Sequence, residues 1–263
     1  MFLFYLKKNF CDGWDNMMPL LLSNILIVLI AVATFFSTHF LIATMPTLAI
    51  TIQIAGVFLI FLSIFAFGKS AAQIANFKTP TFKSYLAEFI NLKVWKDCIL
   101  FLLVIALFIV VGVVGIPFYL RQSEMGGIFF AALLFWFLLI VVLSLQWYIP
   151  IRVLLKNNFF KSLKKCFIIF FDNPIFSVLV FLYTILLAVV SVLLFFMLPG
   201  FSGILLAPVN ALKLRLYKYD WLEEHPELTP QERKHIPWYE LVADDNETLG
   251  PRTFKSFFLP WKE

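Results

Sequence analysis

Long apolar stretches separated by short polar segments dominate the chain. Four of them have the roughly 20 apolar residues that a helix needs to cross a bilayer, and a longer uncharged stretch runs from Pro174 to Leu212. Because Pro199-Gly200 favours a turn inside that stretch, we divide it into two spans. The pattern predicts an all-α, polytopic membrane protein whose six transmembrane helices form three helical hairpins, at about 17–37, 48–68, 98–120, 127–149, 174–198 and 199–212.

The positive charges follow the same division of the chain. Of the 21 Lys and Arg residues, 20 lie in the N-terminal segment, the loops 69–97 and 150–173, and the tail from Lys213, whereas Arg121 lies apart. A five-span protein would divide these charges 12 to 9 across the membrane. Since cytoplasmic loops carry an excess of Lys and Arg, we expect six spans with both termini in the cytoplasm, in a bacterial cytoplasmic (inner) membrane.

The composition agrees with this class of protein. The chain is 62% hydrophobic and 14% charged, whereas soluble domains carry about a quarter charged residues. Its net charge of +5 lies in short segments beside apolar spans, which favours attraction to anionic lipid headgroups over nucleic-acid binding. Three unclustered cysteines indicate neither a disulfide framework nor a metal site. We expect the lipid bilayer as a partner, no nucleic acid and no cofactor.

Two short alignments indicate an internal repeat. Residues 6–16 (LKKNFCDGWDN) and 163–173 (LKKCFIIFFDN) share Leu, Lys, Lys, Phe, Asp and Asn at the same offsets, and 82–90 (FKSYLAEFI) resembles 160–168 (FKSLKKCFI). The spacing predicts three copies of one unit, an amphipathic cytoplasmic arm followed by a helical hairpin. Shared interface chemistry without a true repeat is the alternative.

Each arm is expected to lie in the headgroup layer, with aromatic side chains inserted and lysines reaching lipid phosphates. Asp15-Asn16 and Asp172-Asn173 follow two of the arms, where Asp and Asn side chains would cap the next helix. The predicted membrane-interface cations are Lys7, Lys8, Lys83, Lys161, Lys164, Lys165, Lys213 and Arg215.

The chain combines basic aromatic arms, six predicted spans, and a last span that is entered through Pro199 and left through Asn210-Ala211-Leu212-Lys213. These three features resemble the YesL-like family. This is a family of small, uncharacterised bacterial integral membrane proteins. The resemblance covers residues 1 to about 218 and is one of pattern. It implies an accessory role beside carbohydrate-uptake systems and assigns no residue.

The predicted spans contain little chemistry. No ionisable residue lies in the middle of a span, which argues against an ion-coupled carrier. The deepest polar side chains are expected to bond neighbouring helices; they are Asn24, Gln53, Ser63, Ser144, Ser191 and Asn210. Trp136, Trp147 and Tyr148 are expected to face lipid or its interface. Since no catalytic motif is recognisable, the sequence predicts a protein that is not an enzyme.

A six-span membrane domain (1–218) is thus predicted to precede a cytoplasmic tail (219–263). Asp244, Asp245, Asn246 and Glu247 offer oxygen ligands for a divalent cation, but they lack the spacing of a calcium-binding loop, which favours a solvated turn. We expect the final aromatic segment either to bind the membrane surface or to insert into a groove. That groove would lie on a partner or on the protein's own cytoplasmic face. Its candidate partner-binding residues are Phe254, Phe257, Phe258 and Trp261.

The leading functional hypothesis is a non-enzymatic accessory or assembly protein of the membrane. Its arms and tail would present a cytoplasmic platform to a membrane or cytoplasmic protein partner, or to a second copy of the chain through self-association. The alternative is a membrane transport component for an uncharged or lipid-like solute, which would occupy a cavity between the repeated units.

Overall fold

The computed structural model describes residues 1–122, 125–229 and 231–252, and these form helices and turns without a strand. The predicted all-α class is therefore confirmed. In chain order the helices are α1 (Phe2–Asp15), α2 (Met17–Leu41), α3 (Pro46–Ala75), α4 (Phe82–Ile90), α5 (Leu92–Val110), α6 (Ile116–Leu120), α7 (Met125–Leu145), α8 (Tyr148–Leu155), α9 (Phe159–Asp172), α10 (Pro174–Leu193), α11 (Gly200–Glu224), α12 (Trp238–Leu241) and α13 (Ala243–Leu249).

Among the described residues, five helical segments are long and apolar enough to cross a membrane: Met17–Leu41, Pro46–Ala75, Leu92–Leu120, Met125–Leu155 and Pro174–Leu193. They cover most of the first five predicted spans. The third is continuous because a π-helical turn, Val111–Gly115, joins α5 to α6. Large apolar side chains on these segments are exposed, such as Leu103 at 62% and Val113 at 69%. Lipid surroundings explain such exposure, which water would disfavour.

The sixth predicted span, 199–212, is the first half of α11, which is not one of those five segments. The helix continues to Glu224, through the boundary predicted between membrane domain and tail. All residues from Leu205 to Leu214 are buried, and α11 packs against α1, α2, α3, α8 and α10. Protein rather than lipid therefore surrounds this helix, which explains how it accommodates Asn210 and Lys213.

The turn between α10 and α11 is bonded to Asn24 of α2. The Asn24 amide donates to the carbonyls of Met197 and Pro199 at 2.9 Å, and its oxygen accepts from the Ser202 amide at 2.9 Å. Gly200 has a positive φ of 61° there, and a Cβ at this position would collide with the Asn24 side chain. Both constraints require glycine.

Six spans with both termini in the cytoplasm would put the turn at Pro199 on the external side, together with the α2–α3 connection. The structure places this turn elsewhere. Asn24 is the eighth residue of α2, so the rest of that helix extends about 25 Å further at 1.5 Å per residue. The turn therefore lies beside the first third of α2 and not near the α2–α3 connection.

Three short amphipathic helices, α1, α4 and α9, occur where the arms were predicted. The capping predicted for the Asp-Asn pairs is wrong, because neither Asn16 nor Asn173 makes a side-chain cap. Instead, Asp172 accepts hydrogen bonds from Lys218 and Tyr219 of α11, both at 2.7 Å. Burial acts to raise the pKa of Asp172, but these bonds outweigh it and lower the pKa. The Asp172-Asn173 pair thus joins α9 to α11.

An aromatic core joins α3, α5, α8 and α10. Tyr148 stacks on Phe101 at 4.5 Å between ring centroids, and the Trp147 indole donates to Ser177 Oγ at 3.1 Å. Both Trp147 and Tyr148 are fully buried. The expectation that they face lipid is wrong, because their rings fill the space where the helices converge; Trp136 is exposed as expected.

Candidate functional site

Four charged side chains meet inside the protein where α1, α11 and α13 converge. Lys8 Nζ lies 3.2 Å from Asp12 Oδ2 and 3.7 Å from Asp245 Oδ2. Lys213 Nζ lies 3.4 Å from Asp245 Oδ1. All four residues are buried, and Lys8 is fully enclosed. We call Lys8, Asp12, Lys213 and Asp245 the buried charge cluster.

The end of α3 closes the buried charge cluster. Phe77 adopts a left-handed backbone conformation just after α3, and its ring centroid lies 3.5 Å from Lys8 Nζ and 4.9 Å from Lys213 Nζ. Lys213 also donates to the Ala75 carbonyl at 2.8 Å, and Tyr217 donates to Asp245 at 3.1 Å. The two cations are thus compensated by two carboxylates, by the face of an aromatic ring and by the C-terminal end of a helix.

Burial changes the proton affinity of this cluster. It raises the pKa of Asp12 to about 6, although the adjacent Lys8 ammonium acts in the opposite direction. A carboxylate with such a pKa changes charge at mildly acidic pH. The cluster therefore has two charge states, which differ by one proton on Asp12.

A chain of hydrogen bonds continues from this cluster into the helix bundle. The Asn210 amide donates to Asn9 Oδ1 at 3.1 Å, and the Asn9 amide donates to the Tyr183 hydroxyl at 3.1 Å. Helices α11, α1 and α10 are thereby bonded at one level. Asn210 thus bonds a neighbouring helix, as the sequence predicted, and so does Asn24.

The C-terminal tail is bonded to α1 on the surface of this site. Lys7 donates to the Gly250 carbonyl at 3.0 Å, and Arg252 bonds both oxygens of Asp15 at 2.7 and 2.9 Å. An open groove of about 820 Å³ remains between α1 and the helices α12 and α13, with Tyr239 87% exposed at its edge. Its lining combines apolar and charged groups: Met1, Phe4, Lys7, Trp238, Val242 and Glu247. We call this the tail groove.

A second groove lies between helices α1–α2 and α10–α11. It has a volume of about 440 Å³ and is almost wholly apolar, apart from Asn9 and Tyr183 at one side. Representative lining residues are Phe10, Gly13, Trp14, Leu187, Val190 and Leu206. We call it the apolar groove. An apolar peptide segment or an acyl chain would suit its lining.

The predicted membrane-interface cations fall into two groups. Lys83, Lys161 and Lys164 are exposed, and Lys7 and Lys165 are half-buried; their contact with lipid stays a prediction.

Three cations differ from the prediction because their charged groups are directed into the protein. Lys8 and Lys213 belong to the buried charge cluster. The Arg215 guanidinium, which is half-buried, lies 4.0 Å from the Phe176 ring centroid and 5.3 Å from that of Trp238.

The sequence reasoning missed both carboxylates of the buried charge cluster. Asp12 had a detectable signal, since it lies four residues after Lys8 on one face of α1. Asp245 had none, because the solvated turn expected there is in fact a helix packed on α1 and α11. The predicted partner-binding residues Phe254, Phe257, Phe258 and Trp261 lie outside the described residues.

The chain matches no family model, no curated protein and no solved structure.

Proposed function

We propose that the protein is a non-enzymatic integral membrane accessory or assembly protein, which presents a cytoplasmic platform to a protein partner. The platform consists of α1 with the tail helices α12 and α13. The observation that carries the proposal is the tail groove, which the described residues leave open and whose walls, α1 and α13, the buried charge cluster joins. A fixed groove with exposed aromatic and charged groups suits recognition of another protein.

A topology with an even number of crossings and both termini in the cytoplasm of a bacterial cell belongs to this proposal: six crossings as the sequence predicts, or four where the α10–α11 hairpin turns back beside Asn24. Its support is the contact between the two ends of the chain: Lys8 lies beside Asp245, and Asp15 bonds Arg252. Ends on the same side require an even number of crossings. Five crossings would separate α1 from the tail by the thickness of the membrane. The predicted charge bias supports the same orientation.

The test is site-specific photocrosslinking in native membranes. A photoreactive amino acid replaces Tyr239 in the tail groove, and a matched variant carries it at Phe129, which is 61% exposed on the apolar helix α7. We expect one protein adduct of defined mass from position 239 and only lipid adducts from position 129. Adducts with lipid alone at position 239, or the same proteins from both positions, would contradict the platform.

Adducts with a second copy of the chain would identify self-association, which is one form of the same proposal. A charge reversal in the groove, Glu247→Lys, should then lower the adduct yield several-fold if the groove is the binding surface. Glu227→Lys, an exposed carboxylate outside the groove, serves as its control.

A second candidate, transport of an uncharged or lipid-like solute, is favoured by one observation. The apolar groove lies between helices and has the size and lining that an acyl chain needs. Under this candidate, delipidated protein should bind a fluorescent fatty-acyl probe with one-to-one stoichiometry. Gly13→Leu, which adds volume at the groove wall where a Cβ meets no atom within 4 Å, should abolish that binding.

A further inference from the structure

We propose that the C-terminal segment 253–263 folds back on its own protein and occupies the apolar groove. This inference is independent of the proposed platform, because the tail groove and the apolar groove are separate surfaces. It competes with the second candidate, which places an acyl chain in the apolar groove. It commits the aromatic segment to one intramolecular site, whereas the sequence alone left open the membrane surface, a groove on a partner and a groove on the protein's own cytoplasmic face.

The first argument is the place at which the described chain ends. Arg252 bonds both carboxylate oxygens of Asp15, at the C-terminal end of α1. The preceding residue in α1, Trp14, lines the apolar groove, and so does Gly13. Arg252, the last residue that the structure describes, is therefore bonded next to the rim of this groove.

The second argument is length and composition. Eleven residues follow Arg252, and an extended chain of that length spans up to about 36 Å. The segment has aromatic side chains at Phe254, Phe257, Phe258 and Trp261. These would bury their rings against a lining that is itself apolar, and both surfaces would lose contact with water.

The third argument is tethering. A segment joined to its site by a few residues has an effective concentration on the order of millimolar, which a separate protein partner rarely reaches. The ion pair of Arg252 with Asp15 and the bond of Lys7 to Gly250 restrict where the segment can begin. Both restrictions lower the entropy cost of docking.

The experiment is disulfide trapping in the full-length protein. The native cysteines, all of which are buried thiols, are first replaced by alanine. Gly13→Cys is then combined with Phe257→Cys, since a Cβ at Gly13 meets no atom within 4 Å. The control combines Phe257→Cys with Gly126→Cys, which is equally open but begins α7, a helix that does not line the groove.

We expect mild oxidation to give an intramolecular disulfide with the Gly13 variant at least five-fold faster than with the Gly126 variant. The result should hold in detergent and in phosphatidylcholine vesicles. Asp15→Asn should slow the reaction by two- to five-fold, because it removes the ion pair at the rim. Melting temperatures of the reduced variants establish that each is folded.

Equal rates for the two pairs would overturn the inference, and so would disulfides formed only between molecules. A second pair, Met17→Cys with Phe258→Cys, leaves Phe257 intact and therefore tests docking if Phe257→Cys itself weakens it. Failure of both pairs would place the segment on the membrane or on a partner and would leave the apolar groove open to an acyl chain. The photocrosslinking result at Tyr239 does not depend on either outcome.

Discussion

Lys8, in the first helix of the chain, and Asp245, near its end, lie 3.7 Å apart inside the protein. The two residues fix the N-terminal helix and the tail to one another. Because Asp245 also accepts from Lys213, the pair extends to the buried helix α11. The contact between the N-terminal helix and the tail is thus anchored on α11, the enclosed helix of the bundle.

Removing this anchor should destabilise the protein strongly. Asp245→Ala leaves two buried ammonium groups with a single neighbouring carboxylate, and loss of one partner from a buried ion pair costs about 3–5 kcal/mol. We expect a lower free energy of unfolding in detergent by that amount. Asp244→Ala, at the adjacent exposed carboxylate, should change it by about 0.5 kcal/mol or less. Equal effects of the two substitutions would contradict the role of the cluster.

Stability should depend on pH through Asp12. Its carboxyl has a pKa of about 6 in the folded protein and about 3.8 ordinarily, so between these values the folded state binds more protons than the unfolded state. The stabilisation is fully present below about pH 4 and is lost as the pH rises through 6. Relative to Asp12→Asn, we expect stability to fall by about 1–3 kcal/mol between pH 4.5 and pH 7. Denaturant unfolding curves that run parallel for both proteins would refute this.

The turn between α10 and α11 should depend on Asn24. Asn24→Ala removes three hydrogen bonds of about 0.5–1.5 kcal/mol each and leaves buried backbone groups without partners. We expect a loss of about 2–4 kcal/mol in the free energy of unfolding. The control is Gln53→Ala, since Gln53 makes one exposed hydrogen bond, with Thr38, and should cost less than about 1 kcal/mol. A smaller effect at Asn24 than at Gln53 would show that the turn forms without it.

The pair Arg152–Asp97 provides a double-mutant cycle. Arg152 Nε donates to Asp97 Oδ2 at 2.6 Å, and both side chains are about nine-tenths buried. Each single alanine variant should lose about 3–5 kcal/mol, whereas the double variant should lose less than the sum of the two. The measurement is thermal or denaturant unfolding in one detergent. Strictly additive losses would mean that the two charges do not interact.

The position of the helices could be predicted because it depends on local patterns. The arm around Lys7 and Lys8 and the arm around Lys164 and Lys165 were found as helices, since apolar and basic positions alternate with helical periodicity there. The roles of Lys8 and Trp147 could not be predicted. A lysine beside a span and an aromatic residue at its end have the same sequence pattern whether they face lipid or another helix.

The sequence by itself determined that the protein lies in lipid. Stretches of about 20 apolar residues are unfavourable in water, and a helix makes the hydrogen bonds of every backbone group within them. Tertiary structure alone decided which helix is enclosed and which charges are paired. Helix α11 contains the least apolar of the predicted spans, yet its neighbours can compensate Asn210 and Lys213, which lipid cannot. Asp245 joins this network because packing brings the chain ends together, and such contacts between distant residues have no local signal.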